Sequence, residues 1–245
     1  MQPVIPIWIT LLTIATNIVV PALAWLAFRS VARRTAPKLV APSLVFFGVW
    51  VIIAFTLSSR GFFVGPADSS FPRVAYALLP LAAGYFGFLV LRPVRTVVEQ
   101  IPLPWMIGIQ LYRAVGLIFL VEWMLGALPG AFALPAGLGD IAIGLTAPIV
   151  SARVRSGAPR AHESAILWNV LGITDLVVAV TMGVLTTPGP LHIAELGAPN
   201  FAIITMPLVL VPTIAVPFSL LLHFVGLHRL LGATQPGALA FSKAA

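Results

Sequence analysis

Arg113, Asp140 and Asp175 are the residues with chemistry to offer, because each lies inside a long apolar run where ionisable groups are rare. A charged side chain near the middle of a membrane helix costs about 2.5–3.5 kcal/mol on insertion scales, so it persists mainly where it pairs, lines a cavity or does chemistry. An arginine can meet an anionic group, and two aspartates can hold a cation or a proton. Gln110 and Asn169 lie close by in the same apolar runs and add neutral hydrogen-bonding groups. The candidate ligand-binding set is therefore Gln110, Arg113, Asp140, Asn169 and Asp175, with no residue assigned a catalytic role.

Other chemistries are poorly supplied. The absence of Cys removes disulfides, thiolate metal ligands and cysteine nucleophiles. His192 and Glu195 are too few to make a metal centre. His162 falls in a loop, and His223 and His228 fall at the end of the last apolar run beside Arg229. No convergence of imidazoles suggests haem. Neither a metal nor a cofactor is expected.

The elements that must position these side chains are membrane helices. Of 245 residues 60% are hydrophobic and 9% charged, with mean hydropathy +1.05. A soluble domain has about 45–50% apolar and about 25% charged residues. A span needs about 20 mostly apolar residues, and seven runs qualify, at roughly residues 7–28, 39–58, 74–91, 103–128, 132–150, 164–185 and 201–223. The expected fold is all-α, a polytopic bundle of seven transmembrane helices forming one domain over residues 1–245. The first run lacks a preceding basic residue and a cleavage pattern, so it reads as a retained helix. The connector with Arg60, Gly61, Gly65, Pro66, Asp68 and Pro72 reads as a loop, and its Phe62, Phe63 and Phe71 suit an interface.

Basic residues set an orientation. With the N-terminus outside, the cytoplasmic segments hold Arg29, Arg33, Arg34, Lys38, Arg92, Arg95, Arg153, Arg155, Arg160, Arg229 and Lys243, and the outer ones only Arg60 and Arg73. Together with Arg113 these make up the 14 Lys and Arg of the chain. Such a bias predicts N-terminus out and C-terminus cytoplasmic, in a bacterial inner (plasma) membrane. It also explains the pI of about 11.1 as a fringe facing anionic headgroups rather than nucleic acid. The expected partner is the lipid bilayer, together with a small-molecule or ion ligand; a homo-oligomer or partner subunit is compatible with the chain.

At about 1.5 Å per residue, Arg113, Asp140 and Asp175 all fall near the midplane, Gln110 and Asn169 on its cytoplasmic side, and Glu122 toward the outer surface. At about 100° per residue Gln110 and Arg113 share a stripe with Leu117, while Glu122 points the opposite way, so Arg113 must pair across helices. Gly137, Asp140, Gly144 and Ala147 make a small-residue seam, and Trp168, Gly172, Asp175 and Ala179 a similar one. Gly137-Leu138-Gly139-Asp140 followed by Thr146 is echoed by Gly172-Ile173-Thr174-Asp175 followed by Thr181, in the manner of an inverted repeat. Pro148, Pro207, Pro212 and Pro217 open helices at membrane depth, as a pocket between the fourth to seventh spans requires.

Three functions are compatible with this pattern. The first is binding or transport of a small molecule or ion in that pocket. The second is an accessory subunit in which the Arg/Asp cluster is a salt-bridged staple. The third follows from a resemblance: Gly137-Leu138-Gly139-Asp140 resembles the Gly-x-Gly-Asp signature of intramembrane aspartyl proteases, the presenilin and prepilin-peptidase group. That resemblance implies a catalytic Asp140 sharing a proton with Asp175 to activate water. The order departs from the family, where the signature Asp comes second in the chain. Seven spans also invite comparison with rhodopsins, but Lys38 and Lys243 both lie outside the membrane, leaving a retinal Schiff base no anchor.

Overall fold

A computed structural model describes residues 5–65 and 72–233, leaving Pro66, Asp68, Phe71 and Lys243 outside the described residues. Seven helices are long and apolar enough to cross a membrane: Ile7–Thr35, Pro37–Ser59, Arg73–Val90, Leu103–Met124, Gly130–Arg155, Ala161–Thr186 and Val211–Gly232. No strand occurs among the described residues. Helices suit a bilayer because they satisfy their backbone groups internally. Val45, Ile52, Leu145, Leu167 and Leu171 are exposed on the outside of the bundle, the side that meets lipid.

The first span, α1 (Ile7–Thr35), runs past residue 28 and carries Arg33 and Arg34 in its last turn, where cations complement the helix dipole. After α2 (Val40–Ser59), the loop aromatic Phe63 is buried. Arg73 lies over the ring of Phe62 at 5.0 Å and donates to its carbonyl. A 3₁₀ turn, Arg73–Leu78, leads into α3 (Leu79–Val90).

Residues 92–100, expected as a connector, form a short amphipathic helix, α4 (Arg92–Gln100). Val94, Val97 and Val98 recur at helical spacing and turn inward, while Thr96, Glu99 and Gln100 are exposed. Arg229 anchors its end by donating to the carbonyls of Val98, Glu99 and Ile101. Carbonyls at a helix end have few backbone donors, and the guanidinium supplements the one Ile101 N–H that reaches Val98.

The fourth span is not one uniform helix. It comprises α5 (Leu103–Gly108), a 3₁₀ stretch Ile109–Gly116 and α6 (Leu117–Met124), ending four residues before the expected limit of 128. A tight turn follows, and α7 (Gly130–Arg155) returns antiparallel along the whole of it. α7 also packs on α8 (Ala161–Thr186), and α8 on the seventh span. α1 reaches the 3₁₀ stretch from the other side.

The seventh span begins about ten residues later than expected. Residues 201–210 form short turns; a π-helical turn, Val211–Ala215, then opens α9 (Val216–Ala233). Proline explains the offset. Pro207 precedes the span, Pro212 sits in the π turn, and Pro217 occupies the first turn of α9, where a missing N–H is tolerated. Pro217 cannot donate to the Thr213 carbonyl four residues back; Trp50 Nε1 does so instead, at 3.0 Å.

Candidate functional site

The 3₁₀ stretch decides what the fourth span presents inward. With three residues per turn, residues i and i+3 eclipse. Gln110, Arg113 and Gly116 therefore fall in line, and all three are buried. Leu117, expected on this stripe, is exposed to the outside instead. Opposite Gly116 stands Asp140 of α7: a Cβ on Gly116 would lie 2.4 Å from the Asp140 Cβ. One turn away α7 crosses backbone on backbone, where a Cβ on Gly144 would meet the Ala114 nitrogen at 2.4 Å. The small-residue seam is what brings the two spans close enough for a salt bridge.

Arg113 is the hub, only 3% exposed. Its Nε donates to Asp140 Oδ1 at 2.8 Å, and its Nη2 donates to Asp175 Oδ2 on α8. Its Nη1 lies 3.1 Å from Nε2 of His223, a fully buried residue of α9. The guanidinium bonds both carboxyls, Asp140 through Nε and Asp175 through Nη2. Tyr112 completes the surroundings, with its hydroxyl bonded to Ser219 Oγ and to the Ala215 carbonyl.

The hydrogen bonds fix the charge of His223. Asn169 Nδ2 donates to the Ala165 carbonyl at 2.8 Å, which leaves Asn169 Oδ1 facing His223 Nδ1 at 3.0 Å. That oxygen only accepts, so Nδ1 carries a proton. A guanidinium only donates, so Nε2 presents its lone pair to Arg113. His223 is thus a neutral imidazole. With both carboxyls ionised, one guanidinium would face two carboxylates, an excess of one negative charge.

Glycines make this convergence geometrically feasible. A Cβ on Gly139 would fall 1.6 Å from Asp175 Oδ1, and one on Gly172 would fall 2.2 Å from His223 Cε1. Trp168 packs against the His223 ring at 5.0 Å between centroids and donates from Nε1 to Thr146 Oγ1 at 3.0 Å. Its counterpart in the echo, Thr181, bonds only back to the Val177 carbonyl. The two halves of the repeat are therefore used differently.

Of the five residues selected from sequence, Arg113, Asp140 and Asp175 meet directly, and Asn169 joins through His223. Gln110 is buried in line with Arg113, but its Oε1 has no partner, so it does not extend the network. Two side chains sit otherwise than a uniform count of residues predicts. His223 stands well inside the last span rather than at its cytoplasmic end, because that span begins about ten residues later than its apolar run. Glu122, expected to point to the side opposite Arg113, is fully buried in the bundle. Each 3₁₀ residue turns about 120° rather than about 100°, so the three steps from Arg113 to Gly116 alone shift Glu122 by about 60°.

Arg113 and Asp140 line a cavity of about 40 Å³ together with Thr13 and Asn17 of α1 and with Ser219. Among the described residues no three His, Asp or Glu side chains form a group suited to a metal ion. Fold and site together define a seven-helix integral membrane protein built around a buried arginine, two carboxylates and a neutral histidine. Residues 71–231, two thirds of the chain, match a domain of unknown function, DUF8737, and the chain belongs to that family. The match spans the third to seventh helices and every residue of the cluster. No curated protein and no solved structure matches the chain.

Proposed function

We propose that the protein binds and translocates a small cation, foremost the proton, at the cluster of Arg113, Asp140, Asp175 and His223. The proposed setting is a bacterial inner membrane, with the N-terminus outside and the arginine-rich end in the cytoplasm. The excess negative charge carries this reading. A buried charge needs compensation, and two carboxylates against one guanidinium and a neutral imidazole leave one unit uncompensated. A proton or a monovalent cation supplies it. The opposite reading, in which Arg113 receives an anionic ligand, is disfavoured because all three guanidinium nitrogens are already engaged.

The test is ion flux in proteoliposomes with an entrapped pH-sensitive dye and an imposed membrane potential. Asp175→Asn is the informative variant, since it leaves one carboxylate for one guanidinium and a neutral cluster. Wild-type protein should carry protons, and folded Asp175→Asn should not. Sodium and potassium flux measured in the same vesicles separates the proton from an alkali cation. If Asp140→Asn and Asp175→Asn both fold and translocate every candidate ion as the wild type does, the site is not functional.

A salt-bridged staple is the second reading, supported by the glycine-tight packing around Asp175 and His223. It predicts no flux in any variant.

A further inference from the structure

Away from the four clustered residues, the bundle buries a third carboxyl group. Glu122 is fully buried, and neither of its carboxyl oxygens has a hydrogen-bond partner. Two further polar atoms are in the same condition on α1: Thr13 Oγ1 and Asn17 Oδ1, on side chains 1% and 2% exposed. Orphaned buried oxygens are rare, because each costs about 1–3 kcal/mol if left dry. Four of them, on Glu122, Thr13 and Asn17, call for an explanation.

Their positions supply it. At the end of the bundle near Pro6 lies a wide vestibule of about 690 Å³, lined by Thr10, Gly126, Pro129, Phe201 and Met206 among others. Deeper in is the cavity of about 40 Å³ that ends on Arg113 and Asp140. One ordered water needs at least about 10–15 Å³ of such space, so the cavity of about 40 Å³ has room for about three or four. Thr13, Asn17, Tyr112 and Ser219 give it an oxygen lining.

Between vestibule and cavity stands an apolar plug containing Ile9, Ile118, Phe119, Phe132 and Leu208. On α1, Thr10 lines the vestibule and Thr13 the cavity, one turn or about 4.5 Å further along. On the fourth span, Phe119 lines the cavity and Gly126 the vestibule. Glu122 lies between them, three residues after the first and four before the second. It is the one ionisable side chain of the fourth span at the level of the plug.

We infer that Glu122 and the oxygen-lined cavity of Thr13 and Asn17 form a proton access route from the vestibule to Asp140. The inference rests on the proton-translocation reading above. Glu122 rests as the neutral acid and passes its proton across the plug to water held by Thr13 and Asn17, which delivers a proton to the Asp140 carboxylate. The Glu122 carboxylate then takes a proton from vestibule water, so Glu122 returns to its starting form and one proton has moved from the vestibule to Asp140. The charged groups on the cavity are Arg113 and Asp140, and no ion pair engages Glu122 among the described residues.

Glu122→Gln keeps the side chain's shape but cannot relay a proton, and Thr13→Val removes a cavity hydroxyl at constant shape. Both are compared with Asp175→Asn in the proteoliposome assay. The expected fall in proton flux for Glu122→Gln is about a hundredfold, the low end of what a positioned acid–base group contributes to proton transfer. Thr13→Val should lower flux in the same direction. An infrared carboxylic-acid band that shifts in D2O should be present in the wild type and missing from Glu122→Gln. The two readings fail separately. Wild-type flux in Asp175→Asn overturns the cluster as the translocation site. Loss of flux in Asp175→Asn with wild-type flux in both Glu122→Gln and Thr13→Val overturns the access route alone.

Discussion

Replacing Arg113 by Gln removes the one cation that, among the described residues, pairs with Asp140 and Asp175, and the consequence can be worked from the contacts. Two carboxylates lose their guanidinium, and His223 Nε2 loses the donor 3.1 Å away. The excess rises from one uncompensated charge to two, at about 2.5–3.5 kcal/mol for each at membrane depth. The three lost hydrogen bonds of the guanidinium, at about 0.6 kcal/mol each in membrane bundles, add about 2 kcal/mol, so the total loss is about 4.5–5.5 kcal/mol. Typical folded proteins are stable by about 5–15 kcal/mol, so the variant should stand at the edge of folding. The triple variant Arg113→Gln/Asp140→Asn/Asp175→Asn forfeits the same hydrogen bonds but carries no charge in the cluster. Reversible unfolding in mixed micelles should place the triple variant within about 2 kcal/mol of the wild type and Arg113→Gln last, with a gap of about 5–7 kcal/mol between the variants. Two results would refute the reasoning. If Arg113→Gln unfolds within about 1 kcal/mol of the wild type, the carboxylates do not depend on it for charge. If the triple variant is as unstable as the single one, packing rather than charge holds the cluster.

Gly139→Ala and Gly172→Ala should each destabilise by more than about 3 kcal/mol and abolish flux, because the added methyl would overlap Asp175 Oδ1 and His223 respectively. Gly48→Ala is the control: it lies inside α2 with nothing within 4 Å of the new methyl, so unfolding should show a gain of up to about 1 kcal/mol. Glu122→Leu should raise stability by about 1–4 kcal/mol in the same assay while losing proton flux, since a well-packed apolar group replaces an unpartnered carboxyl; a clear loss of stability would mean that Glu122 has a structural partner. Trp50→Phe should cost about 1 kcal/mol and leave flux intact, as it removes one donor from the Thr213 carbonyl far from the charged groups.

The membrane bundle was legible because apolar run length is a strong signal, and Arg113, Asp140 and Asp175 were legible because depth follows from counting residues along it. Pairing across helices followed from angle alone, since no partner for Arg113 lay on its own helix. Departures from uniform winding could not be counted in this way. Nothing in Ile109–Gly116 announces a 3₁₀ helix, apart from glycines at residue 108 and at its end, so Leu117 was placed inward and Glu122 outward. His223 was within reach: it lies in the run Leu220-Leu221-Leu222-His223-Phe224-Val225, and the rule that singled out Arg113 applies equally to it. Starting the last span after its prolines instead of before them would have placed it at depth. The surface helix α4 was also readable from Val94, Val97 and Val98, but Arg92 and Pro93 pointed to a loop.

The eight residues from Ile109 to Gly116 also set how the chain tolerates insertions and deletions. Residues i and i+3 overlie one another there, so a single inserted or deleted residue would swing α6 by about 120° relative to Arg113. Glu122 would leave its place between vestibule and cavity, and Gly116 would no longer make room for Asp140. A three-residue change, by contrast, would restore the facing and shift the helix by about 6 Å along its axis. The segment therefore admits substitutions on its exposed side but only one length.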